Sequence, residues 1–566
     1  MNIEHVEKSY QELESDSTLQ NLIAQANARY ILYNTEESKE NFPRYTIKDE
    51  QLNILAFKYL NIGCNYFSEH NYLKASHSLE KGALILEYIH GSIHIQTKNK
   101  KLFCLISALS YYVCFQYSKA FILIGKLESD TMISSLVSLF LNRKFDQLLS
   151  EIDKLITNSS YGDEYLAEHF EEDNATKIYE IIIAKSLNYY VQFYQTGNKD
   201  FLEIAKKDLV NLQEVAAMRG EPDVWWVIRL LLLIIDGFKE SSLWYVLGNY
   251  FNTEDKLPLK YIQSLVYKNG SITELFLTQR NSLPKVLNNK QGSIVSIPTS
   301  SGKTRIGEIA ILNCLLNEPK AKILFIAPYR SLAYEIENSF DEIFSNLDVS
   351  VSNLYGGSLF SKLDERIIDE SSVIVATPEK AKALFRSNED ILSCIKLVII
   401  DEGHLLGTDK RLIVNEMFYE ELKYHVKANG GRFLLLSAVL PNAEDLSEWL
   451  TDSTDNVYKE NWRPSDERIG IMEWNGVSVN LNWKSTDAER NSFNPNFIMR
   501  QKLPKKPKER IMHYFPENKN QAIASTAYKL RKFGPVLIFV GIKKSVFAIA
   551  REYEKCIQPE EQKFRF

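Results

Sequence analysis

The chain has 566 residues, of which 45% are apolar and 25% are charged, and its formal net charge is −6. This composition predicts a soluble protein of several domains without an overall basic signal for nucleic acid, although a local groove can be basic on an acidic protein. Six cysteines without a C-x-x-C pair argue against a zinc or iron–sulfur site and fit a reduced, cytoplasmic setting. The polar amino terminus excludes a signal peptide, and the longest apolar run, residues 224–235, is too short to span a membrane.

Residues 1–265 are predicted to form an almost entirely helical domain, because apolar residues recur at spacings of three and four and Pro is nearly absent. One stretch resembles the helix–turn–helix spacing of a tetratricopeptide repeat. Its small and aromatic positions are Tyr59, Ile62, Gly63, Tyr66, Ala75 and Leu79, with an echo at Ala108, Tyr111 and Ala120. A generic helical bundle is the alternative to such a repeat.

Residues 266–455 alternate short apolar runs with helical segments, which predicts an α/β lobe with a parallel sheet wrapped by helices. The predicted strands lie at 294–295, 323–326, 373–375, 397–400 and 433–436. Polar motifs follow each run directly. Because open α/β sheets bind ligands outside the carboxyl ends of their strands, we expect these motifs to act as one site.

The segment from Ile297 to Thr304 is predicted to be a phosphate-binding loop, since it ends in Gly302-Lys303-Thr304 after an apolar strand. Lys303 can reach the β- and γ-phosphates of ATP while loop N–H groups cradle them. About 100 residues later, Asp401 and Glu402 follow a second apolar strand. Thr304 and Asp401 can then hold Mg²⁺, and Glu402 is placed to orient the attacking water. The loop departs from the G-x-x-x-x-G-K-[ST] pattern, because Ile297 stands where the first Gly is expected.

Four further segments accompany these two motifs in a fixed order. They are Leu275–Gln279, Ala327–Ala333, Ala376–Lys380 and Leu436–Pro441. Together the six resemble the Q-like motif and motifs I, Ia, Ib, II and III of superfamily 2 DExH-box helicases, in the branch of exosome-associated and Lhr-like enzymes. The resemblance covers residues 275–450. It departs from the family at Val439, where Thr is usual.

The resemblance implies a role for each motif. The nucleotide would be bound by Gln279, whose amide reads the adenine edge, and by Pro298, Thr299, Ser300, Ser301, Gly302, Lys303 and Thr304. Lys303, Asp401, Glu402 and His404 would form the catalytic set, with His404 connecting the nucleotide to motif III. Arg330 and Thr377 would grip the backbone of one nucleic-acid strand. Ser437 and Ala438 would couple the ATP state to that grip.

Residues 456–530 are predicted to be an irregular linker, and Pro535–Gly541 is predicted to be a buried strand that resembles helicase motif IV. Residues 531–566 would therefore begin a second RecA-like lobe. The arginine that reaches the γ-phosphate in this family belongs to the later part of that lobe, so we expect the 566-residue chain to hydrolyse ATP slowly by itself.

These observations predict an ATP-dependent helicase or translocase that moves along single-stranded or partly duplex DNA or RNA, with ATP and Mg²⁺ as cofactors and no membrane partner. A long helical domain fused to such a motor resembles prokaryotic antiphage defence helicases of the Hachiman type. One alternative is a helicase of RNA processing. Another is a nucleotide-gated scaffold whose helical domain binds a partner protein.

Overall fold

The computed structural model describes residues 3–34, 49–90, 100–125, 127, 131–158, 172–354, 366, 368–387, 393–406, 410–464, 468–485, 492–503, 512–532 and 534–557. The chain separates into two compact units. The first unit consists of residues 1–130 and 465–566, and the second consists of residues 131–464. The predicted domain boundary at residue 265 lies inside the second unit, and the four predicted domains stay predictions.

The helices of the first unit begin at the amino terminus. They are α1 (Ile3–Ser15), α2 (Ser17–Asn34), α3 (Asp49–Ser68), α4 (Tyr72–His90), α5 (Lys100–Val113) and α6 (Tyr117–Ile124). Helices α3 and α4 pack closely because Gly63 has no side chain: a Cβ atom there would lie 2.5 Å from Cγ of the buried Leu79. The small residue at position 63 thus permits the close helix pair, while the tetratricopeptide repeat stays a prediction.

The second unit starts with another series of helices. They are α7 (Met132–Leu141), α8 (Phe145–Asn158), α9 (Glu172–Thr196), α10 (Asp200–Arg219), α11 (Pro222–Ser241), α12 (Leu243–Gly248) and α13 (Lys256–Tyr267). Aromatic rings fill the space between α7, α9 and α11, with ring centroids 5.6 Å apart for Phe140 and Tyr190 and 5.1 Å apart for Tyr194 and Phe238. The predicted helical region is confirmed for the described residues. No helix in this part of the chain or elsewhere in the described ranges is long and apolar enough to cross a membrane.

A parallel sheet of seven strands follows these helices in the second unit. Its strands are β1 (Gly292–Ser296), β2 (Lys322–Ile326), β3 (Val351–Leu354), β4 (Val373–Ala376), β5 (Ile395–Ile400), β6 (Arg432–Ser437) and β7 (Val457–Lys459). Their order across the sheet is β3-β4-β2-β5-β6-β1-β7, and every pairing is parallel. The accompanying helices are α14 (Leu277–Leu287), α15 (Lys303–Asn317), α16 (Arg330–Phe344), α17 (Pro378–Ser387), α18 (Lys410–Ala428) and α19 (Ala443–Thr451).

The inner strands of this sheet are apolar because both of their faces are covered. Every residue of β1 and β4 is buried, and so are five of the six residues of β5. The five predicted strands are confirmed, and with them the predicted fold class of a helical amino-terminal region followed by a RecA-like lobe. The edge strands β3 and β7 were not predicted, since their apolar runs are short.

The carboxyl-terminal part of the first unit contains a second sheet. Strands β8 (Arg468–Trp474), β9 (Ser478–Ser485) and β10 (Ser492–Met499) pair antiparallel, β11 (Gln501–Lys502) pairs with β12 (Tyr514–Phe515), and helices α20 (Lys519–Leu530) and α21 (Lys543–Cys556) follow. The prediction of an irregular linker over 456–530 is therefore wrong for these described residues. Buried Val479 and Leu481 alternate with half-buried Asn480 and Asn482, a two-residue period typical of a sheet with one covered face.

The predicted buried strand at Pro535–Gly541 is also wrong. Residues 535–540 have no regular secondary structure, and the side chains of Leu537 and Phe539 are 91% and 90% exposed. An apolar run becomes a buried strand only where neighbouring strands satisfy its backbone, and no described strand pairs with this segment. The second RecA-like lobe stays a prediction.

Candidate active site

The polar motifs of the second unit meet at one edge of its sheet. The loop 297–302 follows β1, Asp401 follows β5, and Ser437 ends β6, which lies between those two strands. Across this edge, Nζ of Lys303 lies 3.9 Å from Oε1 of Glu402. The structure thus brings together the two motifs that the sequence places about 100 residues apart.

The loop has Ile297 where the first Gly of the pattern is expected, and it adopts left-handed conformations at two later positions. Ile297 is fully buried, and its N–H donates to the carbonyl of Ser437 at 3.2 Å, so this residue prolongs the strand pairing instead of opening the loop. Ser300 adopts φ = +67° and Gly302 adopts φ = +78°, which are left-handed conformations. A serine at φ > 0 is uncommon and strained, which is typical of tight functional loops. Pro298 and Ser301 are buried, while Thr299 and Ser300 are exposed.

Lys303 is the first residue of α15, so its ammonium group lies beside the positive end of a helix. Its side chain is only 10% exposed, and Nζ has no hydrogen-bond partner among the described residues. A buried charge without a hydrogen bond is costly unless a ligand of opposite charge satisfies it. This position therefore fits a phosphate group.

Asp401 and Glu402 form the acidic half of the site. Burial and the nearby charge of Glu402 raise the pKa of Asp401 to about 6, against the opposing effects of the Glu402 N–H and the Lys303 charge. Glu402 itself adopts φ = +53°, and its Oε2 lies 3.1 Å from Nδ1 of His404. His404 is thus a close neighbour of Glu402, although Oε2 of Glu402 has no hydrogen bond among the described residues.

The donor set fits Mg·ATP. Thr304 offers a hydroxyl and Asp401 a carboxylate, and oxygen ligands of this kind are the ones that Mg²⁺ takes in phosphate-binding sites. The unsatisfied ammonium of Lys303 would meet the phosphates. A divalent cation would also favour the ionised form of Asp401, whose pKa is otherwise raised.

Gln279 connects two parts of the site. Its Oε1 accepts a hydrogen bond from the Phe276 N–H at 2.8 Å, and its Nε2 donates to the Gly302 carbonyl at 2.9 Å. One amide hydrogen and one oxygen lone pair are left over for a nucleobase. Gln279 borders a cavity of about 360 Å³, which is lined by Arg143, Ile272, Glu274, Phe276, Gln279, Gly302, Thr304, Arg305, Glu308, Leu332, Glu335, Ile336 and Ser339.

Arg330 and Thr377 follow the neighbouring strands β2 and β4, which the hydrogen bond from the Ala327 N–H to the Ala376 carbonyl joins at 3.0 Å. Arg330 begins α16 and is exposed, as a residue that touches a phosphate backbone should be. Thr377 precedes α17 and is only 4% exposed, so little of its side chain is available to a ligand. The gripping role of both residues stays a prediction.

Ser437 and Ala438 lie where β6 meets the phosphate loop. Ser437 is fully buried and pairs in register with Ser296, whose hydroxyl donates to the Ala438 carbonyl at 3.4 Å and accepts from the Leu440 N–H at 2.8 Å. The end of β6 is thus bonded to β1, the strand that leads into the phosphate loop. This geometry is compatible with coupling, which stays a prediction, and Val439 is 52% exposed.

The cavity also contains charged residues that the sequence analysis missed. Arg305 donates to Glu308, and the Tyr261 hydroxyl donates to the same carboxylate at 3.1 Å. Arg143 pairs with Glu274 at 2.8 Å. The spacing of Arg305 and Glu308 on one helix face could have indicated the first pair. The second pair joins residues 131 positions apart, and no local pattern predicts it.

Comparisons with known proteins agree with this geometry. Residues 277–446 match the sequence profile of the DEAD/DEAH box helicase family. Over 565 residues the chain is 39% identical to the Hachiman protein HamB of Bacillus cereus, and the alignment covers 99% of this chain and 50% of HamB. It is 28% identical over 303 residues to the ATP-dependent DNA helicase Hel308 of Methanocella arvoryzae, with 52% of this chain and 36% of that protein covered.

A solved structure, the DUF1998 helicase MrfA bound to DNA, matches 37% of this chain and 30% of its own, with 18% identity and a TM-score of 0.32. The chain spans about half the length of HamB and 36% of that Hel308. The helicase resemblance predicted from the six motifs is confirmed by the family match.

Proposed function

Residues 277–446 form a DEAD/DEAH box helicase domain, and from this premise we propose that the chain is the ATP-driven part of a nucleic-acid helicase or translocase in antiphage defence. One observation carries the proposal. The partly buried ammonium of Lys303, without a hydrogen bond among the described residues, and the carboxylates of Asp401 and Glu402 converge at the carboxyl edge of a parallel sheet. That arrangement suits a nucleotide triphosphate with its cation.

In this mechanism the loop N–H groups and Lys303 bind the phosphates, and Gln279 holds the base end. Mg²⁺, held by Thr304 and Asp401, would supply positive charge against the phosphate oxygens. Glu402 orients the attacking water through one carboxylate oxygen. His404 lies beside that carboxylate, with Nδ1 3.1 Å from its other oxygen. Such positioning and electrostatic stabilisation account for most of the catalysis of phosphoryl transfer.

The strand would lie across the starts of α16 and α17. Arg330 is exposed there, and its guanidinium suits a phosphate irrespective of the base sequence. Motifs of this kind favour a motor over a nucleotide-gated scaffold, which needs no group that grips a strand. DNA is the favoured nucleic acid, since the Hel308 relatives are named as DNA helicases. The defence role is supported by the 39% identity to HamB.

The test compares Lys303→Ala, Glu402→Gln and Arg330→Ala with the parent chain. A fluorescent ATP analogue measures nucleotide affinity, and hydrolysis and binding are followed with single-stranded DNA. Lys303→Ala should weaken ATP binding by roughly 100-fold or more, because it removes the cation that meets the phosphates. Glu402→Gln should keep ATP affinity while lowering the rate of hydrolysis. Arg330→Ala should keep ATP affinity. It should weaken binding to single-stranded DNA by the same factor for every sequence, and the DNA affinity should depend less on salt.

Lys320→Ala is the matched control, because Lys320 is an exposed lysine of the same lobe. It should leave all three measurements unchanged. ATP affinity that survives Lys303→Ala would refute the nucleotide site. A parent chain that binds ATP but no nucleic acid would favour the scaffold, and a strong preference for RNA would favour the RNA helicase.

A further inference from the structure

Glu274 is a buried carboxylate five residues before Gln279. Its side chain is 0% exposed. Three groups donate to it: Arg143 through Nη2 at 2.8 Å, the Tyr194 hydroxyl at 2.6 Å and the Thr273 hydroxyl at 2.5 Å. A carboxylate with this many donors can stay buried only while all of them are in place. Its surroundings are therefore sensitive to the position of each donor.

Two of these donors come from the helices that precede the helicase domain. Tyr194 lies near the end of α9. Arg143 lies in the turn between α7 and α8 with φ = +56°, and its backbone N–H donates to the Phe140 carbonyl at 2.9 Å. The guanidinium also donates to the carbonyl of Ser271 at 3.1 Å. Arg143 thus joins a turn of the helical region to two residues of a short segment that leads into the helicase domain.

This segment, residues 271–276, is anchored along its length. The Leu243 N–H donates to the Thr273 carbonyl at 3.0 Å, and the Leu275 N–H donates to the Ser241 carbonyl at 2.8 Å. We refer to residues 271–276 as the strap. The strap ends at Phe276, whose N–H donates to Gln279, and Gln279 donates in turn to the carbonyl of Gly302. The chain of contacts therefore runs from Arg143 to the phosphate loop.

Residues at both ends of this chain of contacts line one cavity. Arg143 and Glu274 line the cavity of about 360 Å³ together with Phe276, Gln279 and Gly302. The Arg143 side chain is 19% exposed, and its guanidinium is committed to Glu274 and Ser271. Arg143 is therefore placed to act on a ligand through the strap that it holds.

We propose that Arg143 is a positioning residue for the nucleobase end of the nucleotide site. By holding Glu274 and Ser271, it keeps the strap, and with it the Gln279 amide, in the register that recognises adenine. This inference rests on the proposed function and deepens it, because it makes the helices before the helicase domain part of nucleotide selection. The proposal assigns Arg143 to recognition of the base and leaves binding of the phosphates to Lys303.

The experiment measures the affinities of the full 566-residue chain for ribose-labelled fluorescent ATP and GTP in the presence of Mg²⁺. Arg143→Met removes both hydrogen bonds to the strap. We expect ATP affinity to fall roughly tenfold while GTP affinity changes less than about twofold, so that discrimination between the bases is lost. Arg143→Lys retains the charge beside Glu274 and should recover part of the discrimination.

The first unit offers matched controls. Lys74 pairs with Glu7 at 2.7 Å, and the Tyr66 hydroxyl donates to Glu7 at 2.6 Å, so Lys74→Met and Tyr66→Phe remove similar contacts elsewhere. Both should leave the ratio of ATP to GTP affinity unchanged. If Arg143→Met does not fold, Tyr194→Phe decides, since it removes only the 2.6 Å hydrogen bond and should lower the ratio by a smaller factor.

Several outcomes would overturn the proposal. They are a parent chain that binds ATP and GTP equally, an Arg143→Met variant that loses both nucleotides in proportion, and a ratio unchanged in both Arg143→Met and Tyr194→Phe. In each of these cases, loss of ATP binding by Lys303→Ala would show that the nucleotide site itself stands. Retention of ATP by Lys303→Ala would instead refute the proposed function.

Discussion

Glu7 and Glu274 are two carboxylates in similar hydrogen-bonded clusters, one in the helices of the first unit and one beside the candidate active site of the second. Each accepts a tyrosine hydroxyl at 2.6 Å and pairs with a cation, Lys74 at 2.7 Å or Arg143 at 2.8 Å. Their exposure differs: the side chain of Glu7 is 34% exposed and that of Glu274 is 0% exposed.

This difference decides what each cluster can do. Around Glu7, water can replace a lost partner, so the contacts add a modest amount to helix packing. Around Glu274, no water competes, and the loss of one partner leaves a buried charge uncompensated. A carboxylate with a tyrosine hydroxyl and a cation thus stabilises a surface in one region and fixes a functional segment in the other. Burial, more than the identity of the contacts, separates the two roles.

The largest contrast between the regions concerns two tightly packed glycines. A Cβ atom at Gly302 would overlap the amide of Gln279, and the residue has φ = +78°. Gly302→Ala should therefore weaken ATP binding by roughly 100-fold, because strain and overlap both fall on the phosphate loop. Gly63→Ala, where the clash is with Leu79 between α3 and α4, should instead cost about 1–3 kcal/mol of unfolding free energy and leave ATP affinity unchanged. Nucleotide titration and urea unfolding separate the two, and equal losses of ATP affinity would contradict the contrast.

A smaller effect is expected from Glu274→Gln. Removing the charge leaves Arg143 partly buried without its partner, which should lower the free energy of unfolding of the second unit by about 3 kcal/mol. Urea unfolding with a probe in the second unit measures it. The double variant Arg143→Met/Glu274→Met should recover part of the lost unfolding free energy, because it leaves no buried charge without a partner. No restoration in the double variant would mean that the hydrogen bonds to Ser271 and Tyr194 dominate over the charges.

The smallest effect should come from Glu7→Gln, and it should depend on pH. Hydrogen bonds from Lys74 and Tyr66 hold the pKa of Glu7 below its ordinary value of 4.5. A carboxyl whose pKa is lowered by folding stabilises the protein above that ordinary value and loses the contribution as the pH falls through the lowered pKa. Glu7→Gln should therefore be slightly less stable than the parent near neutral pH. The difference in melting temperature should shrink below pH 4.5, and a constant difference would contradict this assignment.

Much of the second unit could be predicted from the sequence because its signals are local. A strand buried on both faces needs a continuous apolar run, and each motif stands directly after such a run, as Lys303 follows β1 and Asp401 follows β5. The antiparallel strands β8 to β10 carry only short alternations, which a linker also can show. The run around Leu537 is as apolar as β2, yet it is exposed, since the neighbours that a strand needs are a property of the fold and not of the run.

The candidate active site also has one part that the sequence predicts and another part that it does not predict. The phosphate loop and the acidic turn are contiguous in sequence, so their residues could be named in advance. The wall that Arg143 and Glu274 add to the cavity depends on a contact between residues 131 positions apart. Arg143 follows α7, which packs against α9 through the rings of Phe140 and Tyr190. No spacing or motif carries that information. The position of Thr377, buried where an exposed strand contact was expected, likewise depends on how α17 packs.

The Lys303 ammonium, which has no hydrogen bond among the described residues and lies 3.9 Å from Glu402, has a consequence for the stability of the folded lobe. Nζ of Lys303 and the hydroxyl of the fully buried Ser437 are both without hydrogen-bond partners among the described residues, and each such atom lowers the stability of the folded lobe. Nucleotide binding would offset the unfavourable free energy of the unsatisfied Lys303 ammonium, and it would do so only in the native state. At a thousand times its dissociation constant, a ligand adds about 4 kcal/mol to native stability. ATP would then act as a folding ligand, and a fall in cellular ATP would expose the lobe to unfolding and proteolysis before any strand is engaged.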